Sequence, residues 1–265
     1  MCESGYSSDE DNYYKTEMAN FRKTFKVLGL VRKSSHGEIY LGQYRRTGIE
    51  VIMKIIKKRG KTIKWCNEVR SHQIATNCNP KGTANLLGIF ERSKDIIMVI
   101  EKPVNSLDIL DIINIYGPIN LKMTKRVISQ VAKSCLSYKS VNLAHCDIKH
   151  ENVLLNPLTG ETKIIDFGNA RPYGNGLIES SSFGTDAFSP PELINNISDI
   201  DSATVYSLGC LALIMLTGSC PFDETKSFDF QRNVLLNEDL HLDEIKYVRK
   251  LLEPQPKLRQ KLEHL

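Results

Sequence analysis

The sequence offers little from which to build a disulfide framework, a metal cage or a membrane anchor. Its seven cysteines are odd in number and no two form a C-x-x-C pair, so neither a stapled fold nor a structural zinc site is expected. The opening stretch, MCESGYSSDEDNYY, is polar and acidic and lacks the order of a secretory leader. The longest apolar run, LGCLALIML at 208–216, is too short to cross a bilayer and suits a buried helix. A net charge of +4 is too small to draw nucleic acid. Internal repeats and low-complexity blocks are absent. Free thiols suit a reducing compartment, so a cytoplasmic or nuclear monomer is expected, with no membrane and no nucleic-acid partner.

What is present reads as an ordinary globular chain. Its 265 residues are 41% hydrophobic and 25% charged, enough for one large domain or two small lobes. Residues 1–20, rich in Ser, Asp, Glu and Asn, read as a flexible acidic tail. From 25 to 102 the stretches FKVLGLV, GEIYLGQY, IEVIMKIIKK, LLGIFER and DIIMVIEK alternate or run β-branched and predict strands, with one helix over 64–77. After Pro103 the periodicity turns helical: 106–117 and 120–142 are amphipathic, the second opening on Asn120 as its cap. The fold class is therefore α+β, with a β-rich lobe over 21–103 and a helical lobe over 104–265.

The chemistry concentrates in NLAHCDIKHENVLL at 142–155, which places Asp147, Lys149 and Asn152 in an apolar frame. Further on, KIIDFGNA ends an apolar strand on Asp166, and Gly168 allows a sharp turn. If 153–155 and 163–165 pair as a hairpin, an amide oxygen and a carboxylate come close enough to offer hard oxygens to Mg²⁺. Asp147 would then accept a proton from an incoming hydroxyl, and Lys149 would steady a transferring phosphoryl group. Lys54 lies in an apolar strand where an unpaired ammonium is costly, and Glu68 on the next helix is its natural partner.

These pieces, in this order, resemble a protein kinase over residues 25–265. Lys54 and Glu68 resemble the strand-three lysine and helix-C glutamate, HCDIKHEN the catalytic loop, DFG (166–168) the magnesium loop and SPPE (189–192) the A-P-E position. Arg259 resembles the late arginine that pairs with Glu192. Lys149 together with Gly184 and Thr185 points to Ser/Thr kinases. IEKPVNSLDILDII resembles the Pim-type calcium/calmodulin-like branch, and the compactness of the sequence is compatible with a viral kinase acting in a host cell.

The resemblance implies a bilobal kinase fold that uses ATP and Mg²⁺ on protein substrates. Val31, Gly37, Ile39, Ile52, Lys54, Glu68, Ile100, Glu101, Leu154 and Ile165 would bind nucleotide between the lobes. Asn152 and Asp166 would hold the metal; Asp147, Lys149, Lys54 and Thr185 would be catalytic. Asp108, Asp111 and Glu151 would meet basic residues flanking a substrate Ser or Thr.

Three departures stand against the pattern. In VRKSSHGEIY, Arg32 and Ser34 occupy two glycine positions and only Gly37 remains, which hinders close backbone approach to phosphates. Cys146 replaces the arginine that meets an activation-loop phosphate, so activity independent of such a phosphate is expected. Thr204 stands where many kinases carry a bracing Asp. The damaged glycine loop leaves a pseudokinase or scaffold as the alternative. A kinase-like fold acting on a small molecule is opposed by GTDAFSPPE, which resembles a peptide-positioning segment.

Overall fold

The alternation between 25 and 101 yields five antiparallel strands, which lie side by side in the order first, second, third, fifth, fourth. These are β1 Phe25–Ser34, β2 Gly37–Tyr44, β3 Glu50–Lys57, β4 Leu86–Glu91 and β5 Asp95–Glu101. The computed structural model describes residues 8–34, 37–58, 66–179, 183–195, 197–218 and 240–265. Contacts divide the chain into two units, one reaching Val69 and resuming over Ala84–Pro103, the other holding Arg70–Thr83 and Val104–Leu265. The change of texture at Pro103 is thus a unit boundary, while 70–83 groups with the helical unit although the sequence suggested the β-rich one.

Register sorts the first unit into two faces. Leu41 opposes Ile52, which opposes Ile100; Ile39 opposes Lys54, which opposes Met98. Directly paired residues share a face, so Ile39, Ile52, Lys54 and Ile100 form two adjacent rows. The other face carries Val51, Met53, Ile97 and Val99, which pack with Phe21 and Phe25.

The flexible tail read over 1–20 is corrected here: α1 runs Ser8–Thr24, and residues 1–7 lie outside the described residues. An isolated polar helix of this length is marginal, and packing supplies the difference. Phe21, 5% exposed, meets Phe90 edge-on at 5.2 Å and Phe25 at 5.7 Å. Tyr14 lies against the Lys58 ammonium, which also pairs with Glu91 at 2.5 Å. The helix expected over 64–77 is α2, Asn67–Cys78; Lys64 and Trp65, at its expected start, are outside the described residues.

The second unit is built on a helix that is apolar all round, the mark of a core helix. α5, Ile200–Thr217, is long and apolar enough to cross a membrane, but 78% of it is buried. It is capped by Asp199, which accepts from Ser202 N–H at 2.8 Å, and closed by Gly218 in the left-handed region. Around it lie α3 (Ile109–Tyr116), α4 (Leu121–Ser140) and α6 (Leu242–Leu251). Asn120 caps α4 as its sequence predicts, accepting from Met123 N–H at 3.0 Å. A three-stranded sheet, β6 (Leu107–Asp108), β8 (Val153–Leu155) and β9 (Thr162–Ile164), carries the polar constellation. Two short pairs join segments far apart in sequence: β7 (Leu143–Ala144) with β10 (Arg171–Pro172), and β11 (Leu177–Glu179) with β12 (Ile197–Asp199). The fold is α+β, a sheet unit and a helical unit, as the sequence predicts.

Candidate active site

In the sheet unit, Lys54 sits mid-strand on β3 and is 8% exposed. Its ammonium meets Glu68 Oε1, from the first turn of α2, at 2.5 Å. This answers the cost of a lysine in an apolar strand: the charge is paired. On the same face Ile100 is buried and Ile39 and Ile52 are half-buried. Val31 falls at the register shift between Leu30 and Arg32 and is 60% exposed. Gly37 takes φ +144°, and a Cβ there would fall 2.2 Å from the Ile55 carbonyl oxygen. The neighbouring strand therefore demands this glycine, whatever its role toward phosphate. Glu101 turns its carboxylate back onto Asn85, accepting from the Asn85 amide at 2.7 Å and backbone N–H at 3.0 Å.

In the helical unit, the hairpin expected around Asn152 forms: Val153 opposes Ile164, and Ile165 N–H donates to the Asn152 carbonyl at 3.0 Å. Asn152 therefore stands beside Ile165, one residue before Asp166. Leu154, half-buried, pairs with Lys163 on one side and Asp108 on the other. Asp166 adopts φ +62°, presents an exposed carboxylate and accepts from Gly168 N–H at 3.2 Å. The next side chain, Phe167, is fully buried between the rings of His72, Tyr138 and His145.

Asp147 is 8% exposed and its carboxylate is the centre of the network. Thr185 hydroxyl donates to Oδ1 at 2.8 Å and accepts from Lys149 Nζ at 2.9 Å. Asn152 and Asn169 amides donate to Oδ2 at 3.1 and 3.2 Å. Lys149 lies 3.6 Å from the same oxygen and 3.3 Å from Glu151. The second amide hydrogen of Asn152 goes to the Asp147 carbonyl at 2.9 Å. With both hydrogens so used, the amide oxygen is the atom left for a cation. An amide oxygen with the Asp166 carboxylate is a hard-oxygen set that suits a divalent ion sharing phosphate oxygens. Among the described residues no cluster of three or more His, Cys, Asp or Glu could hold a metal by itself.

The backbone of this loop is set by His145 and Cys146. Asp147 N–H donates to His145 Nδ1 at 3.3 Å, so Nε2 carries the proton and donates to the Ile165 carbonyl at 3.1 Å. Burial pushes the His145 imidazole below its ordinary range, consistent with that neutral form. Cys146 has φ +62°, and its carbonyl accepts from Gly184 N–H at 2.9 Å. Its thiol is buried in an apolar cluster with Ala144, Ile178, Leu193 and Ile200, and desolvation pushes it up to about 12. Thr204 bonds within its own helix, to the Ile200 carbonyl at 2.7 Å.

The acidic trio fares unevenly. Asp108 caps α3, accepting from Asp111 N–H at 2.8 Å, and burial raises its pKa, with Asp111 and Glu151 adding to the rise. Asp111 is exposed and Glu151 half-buried. Arg259 reaches Glu192 at 2.7 and 3.0 Å, as the sequence suggests. Two contributors escaped the sequence reading as site residues. Asn169 could have been suspected as a polar side chain directly after the D-F-G turn. The tight approach of Gly184 to Asp147, where a Cβ would fall 2.3 Å from Oδ1 and 2.6 Å from Asp147 Cβ, has no sequence signal.

The protein kinase domain family matches residues 25–265. Human serine/threonine-protein kinase D2 is 30% identical over 210 residues, 78% of this chain and 24% of the relative. Mouse serine/threonine-protein kinase D3 is 29% identical over 210 residues, 78% of this chain and 23% of the relative. The kinase dkf-1 of Caenorhabditis elegans is 30% identical over 237 residues, 85% of this chain and 32% of the relative. The chain thus spans about a quarter to a third of the length of these curated relatives. With the polar network assembled in the family's order and the match running from β1 to the last residue, the chain belongs to the protein kinase domain family.

Proposed function

We propose that the chain is an ATP-dependent serine/threonine protein kinase. The observation that carries this reading is the buried Asp147 carboxylate, bonded to Thr185 and Asn152 and backed by Lys149. The acceptor hydroxyl oxygen bonds to the γ-phosphorus as the bond to the β,γ-bridging oxygen breaks; ADP leaves and the hydroxyl proton passes to Asp147. Lys149 balances charge on the group in transit. In the sheet unit, Lys54, fixed by Glu68, is assigned to phosphate oxygens and Val31, Ile39, Ile52 and Ile100 to the base; in the helical unit, Leu154 and Ile165 keep the same assignment to the base. Asn152 and Asp166 would hold Mg²⁺, which supplies charge neutralisation at the phosphates. None of the five described cysteines forms a disulfide, which suits a cytosolic or nuclear setting.

Substrates with basic residues near the acceptor are the class we favour, because Asp111 and Glu151 present carboxylates beside the catalytic loop while Asp108 supports α3. Pro103 after Glu101 and Lys102 keeps the Pim-type branch as our finer assignment. An arrayed Ser/Thr peptide library with labelled Mg-ATP tests the reading. Phosphorylation concentrated on peptides carrying Arg or Lys is expected; a preference for acidic peptides removes the substrate assignment. The pseudokinase reading draws on Arg32 and Ser34 in the glycine hairpin, and it predicts no labelled peptide at all.

Among the described residues, the stretch between Gly176 and Ile200 is tied by contacts that do not call on an arginine at position 146. Cys146 and Ile178 share the apolar cluster, β11 pairs with β12, and Ile200 N–H donates to the Gly176 carbonyl at 2.8 Å. Treatment with a protein phosphatase is therefore expected to leave kcat within about twofold; a tenfold loss on dephosphorylation, regained on rephosphorylation, would contradict it. Gly184→Ala is expected to lower kcat by about tenfold to a hundredfold, because a displacement near 1 Å at a reacting group costs on that order. Steady-state kinetics beside a thermal melt would show it, and an unchanged kcat would mean that Asp147 yields without loss.

A further inference from the structure

We infer that Asn169 is a positioning residue for phosphoryl transfer: it fills one oxygen of the Asp147 carboxylate and so directs the acceptor hydroxyl to the other. This rests on the kinase reading above. An ionised carboxylate offers about four lone-pair positions, two on each oxygen. On Oδ2 both are taken, by Asn152 at 3.1 Å and Asn169 at 3.2 Å, with Lys149 at 3.6 Å adding charge beside them. Among the described residues, only the Thr185 hydroxyl, at 2.8 Å, occupies a position on Oδ1. The acceptor position left by these residues lies on Oδ1. Gly184 packs against the same carboxylate so closely that a Cβ would fall 2.3 Å from Oδ1, so a side chain there would displace Asp147. Asn169 itself is held in place by its neighbours: Phe167 before it is fully buried, and Ala170 N–H donates to the Phe167 carbonyl at 3.2 Å. Asn152, Lys149 and Thr185 each belong to motifs recognisable in the sequence, whereas Asn169 is an addition from the turn after Gly168.

If Asn169 is removed, Oδ2 gains an open position, and water or a misaligned hydroxyl can bond there instead of at Oδ1. The sensitive readout is the partition of Mg-ATP between peptide phosphorylation and hydrolysis by water, which a merely structural residue would not move. For Asn169→Ala the ratio of phosphopeptide to free phosphate is expected to fall about tenfold, with KM for ATP and the unfolding midpoint unchanged. For Asn169→Asp, which sets a second carboxylate against Oδ2, a larger fall is expected. Asn169→Ser, which keeps a donor, should recover part of the ratio. A ratio within twofold of wild type in the Ala and Asp variants overturns the inference, as does a fall that tracks a lowered unfolding midpoint. If the wild-type chain transfers no phosphate to any peptide, the kinase reading fails and takes this inference with it. If wild type transfers and Asn169→Ala matches it, this inference alone fails.

Discussion

Asp147→Asn is expected to lower phosphoryl transfer by about 10²- to 10⁴-fold, the usual worth of a positioned general base. An amide cannot accept the hydroxyl proton, so the loss falls on kcat. Nucleotide affinity should hold within about twofold, since Asp147 is assigned to the acceptor and not to the phosphates. The structure also says how the variant will settle. The Oδ2 position faces two amide donors, Asn152 and Asn169, so the carbonyl oxygen of the new side chain belongs there. Its NH₂ then faces Thr185, whose hydroxyl already accepts from Lys149 at 2.9 Å and would accept a second hydrogen bond. One hydroxyl proton loses its acceptor, a cost of about 1 kcal/mol, so the fold should survive. Peptide phosphorylation measured beside a thermal melt separates the two effects. A variant retaining more than a tenth of wild-type kcat would remove Asp147 from the chemistry.

Arg259→Ala should act in the opposite way, on stability before chemistry. The guanidinium side chain is fully buried and donates to Glu192 at 2.7 and 3.0 Å, to Ser202 carbonyl and hydroxyl at 3.0 Å each, and to the Glu253 carbonyl at 2.8 Å. It also lies over the Tyr206 ring at 5.0 Å. Removing it strands the Glu192 carboxylate and several carbonyls. Breaking a buried pair from one side costs about 3–5 kcal/mol. Arg259→Lys restores charge but not the fork, and should recover only part of the loss. Urea unfolding of the two variants gives the comparison, and a loss below about 1 kcal/mol for Arg259→Ala would show that the helical unit relaxes around the gap.

How much of this was legible depended on the range of the signal. The five strands and α4 follow from periodicity and caps, which are local. Lys54, Glu68, Asp147, Lys149, Asn152 and Asp166 follow from motif spacing, because their chemistry fixes residue types at set intervals. α1 was missed because its polar face dominates the composition while its hold on the sheet comes from a few aromatic contacts near its end. The pairs β7–β10 and β11–β12 are two or three residues long, too short to leave a period. Asp108, expected to meet substrate, also caps α3 through one carboxylate oxygen, a local hydrogen bond that the D-x-x-D spacing could have suggested. Asn169 has only its place after the D-F-G turn to suggest it, and the approach of Gly184 to the Asp147 carboxylate is a matter of space that no spacing along the chain encodes.

Single-turnover transfer, with protein in excess over γ-labelled ATP and a Ser peptide flanked by arginines, tests the central claim most directly. Label should pass to the peptide when Mg²⁺ is present, stop on chelation, and pass at least about a hundredfold more slowly in Asp147→Asn and Lys54→Met. Nucleotide that binds with Mg²⁺ yet never yields labelled peptide, or transfer in the Asp147 variant at more than about a tenth of the wild-type rate, would contradict it.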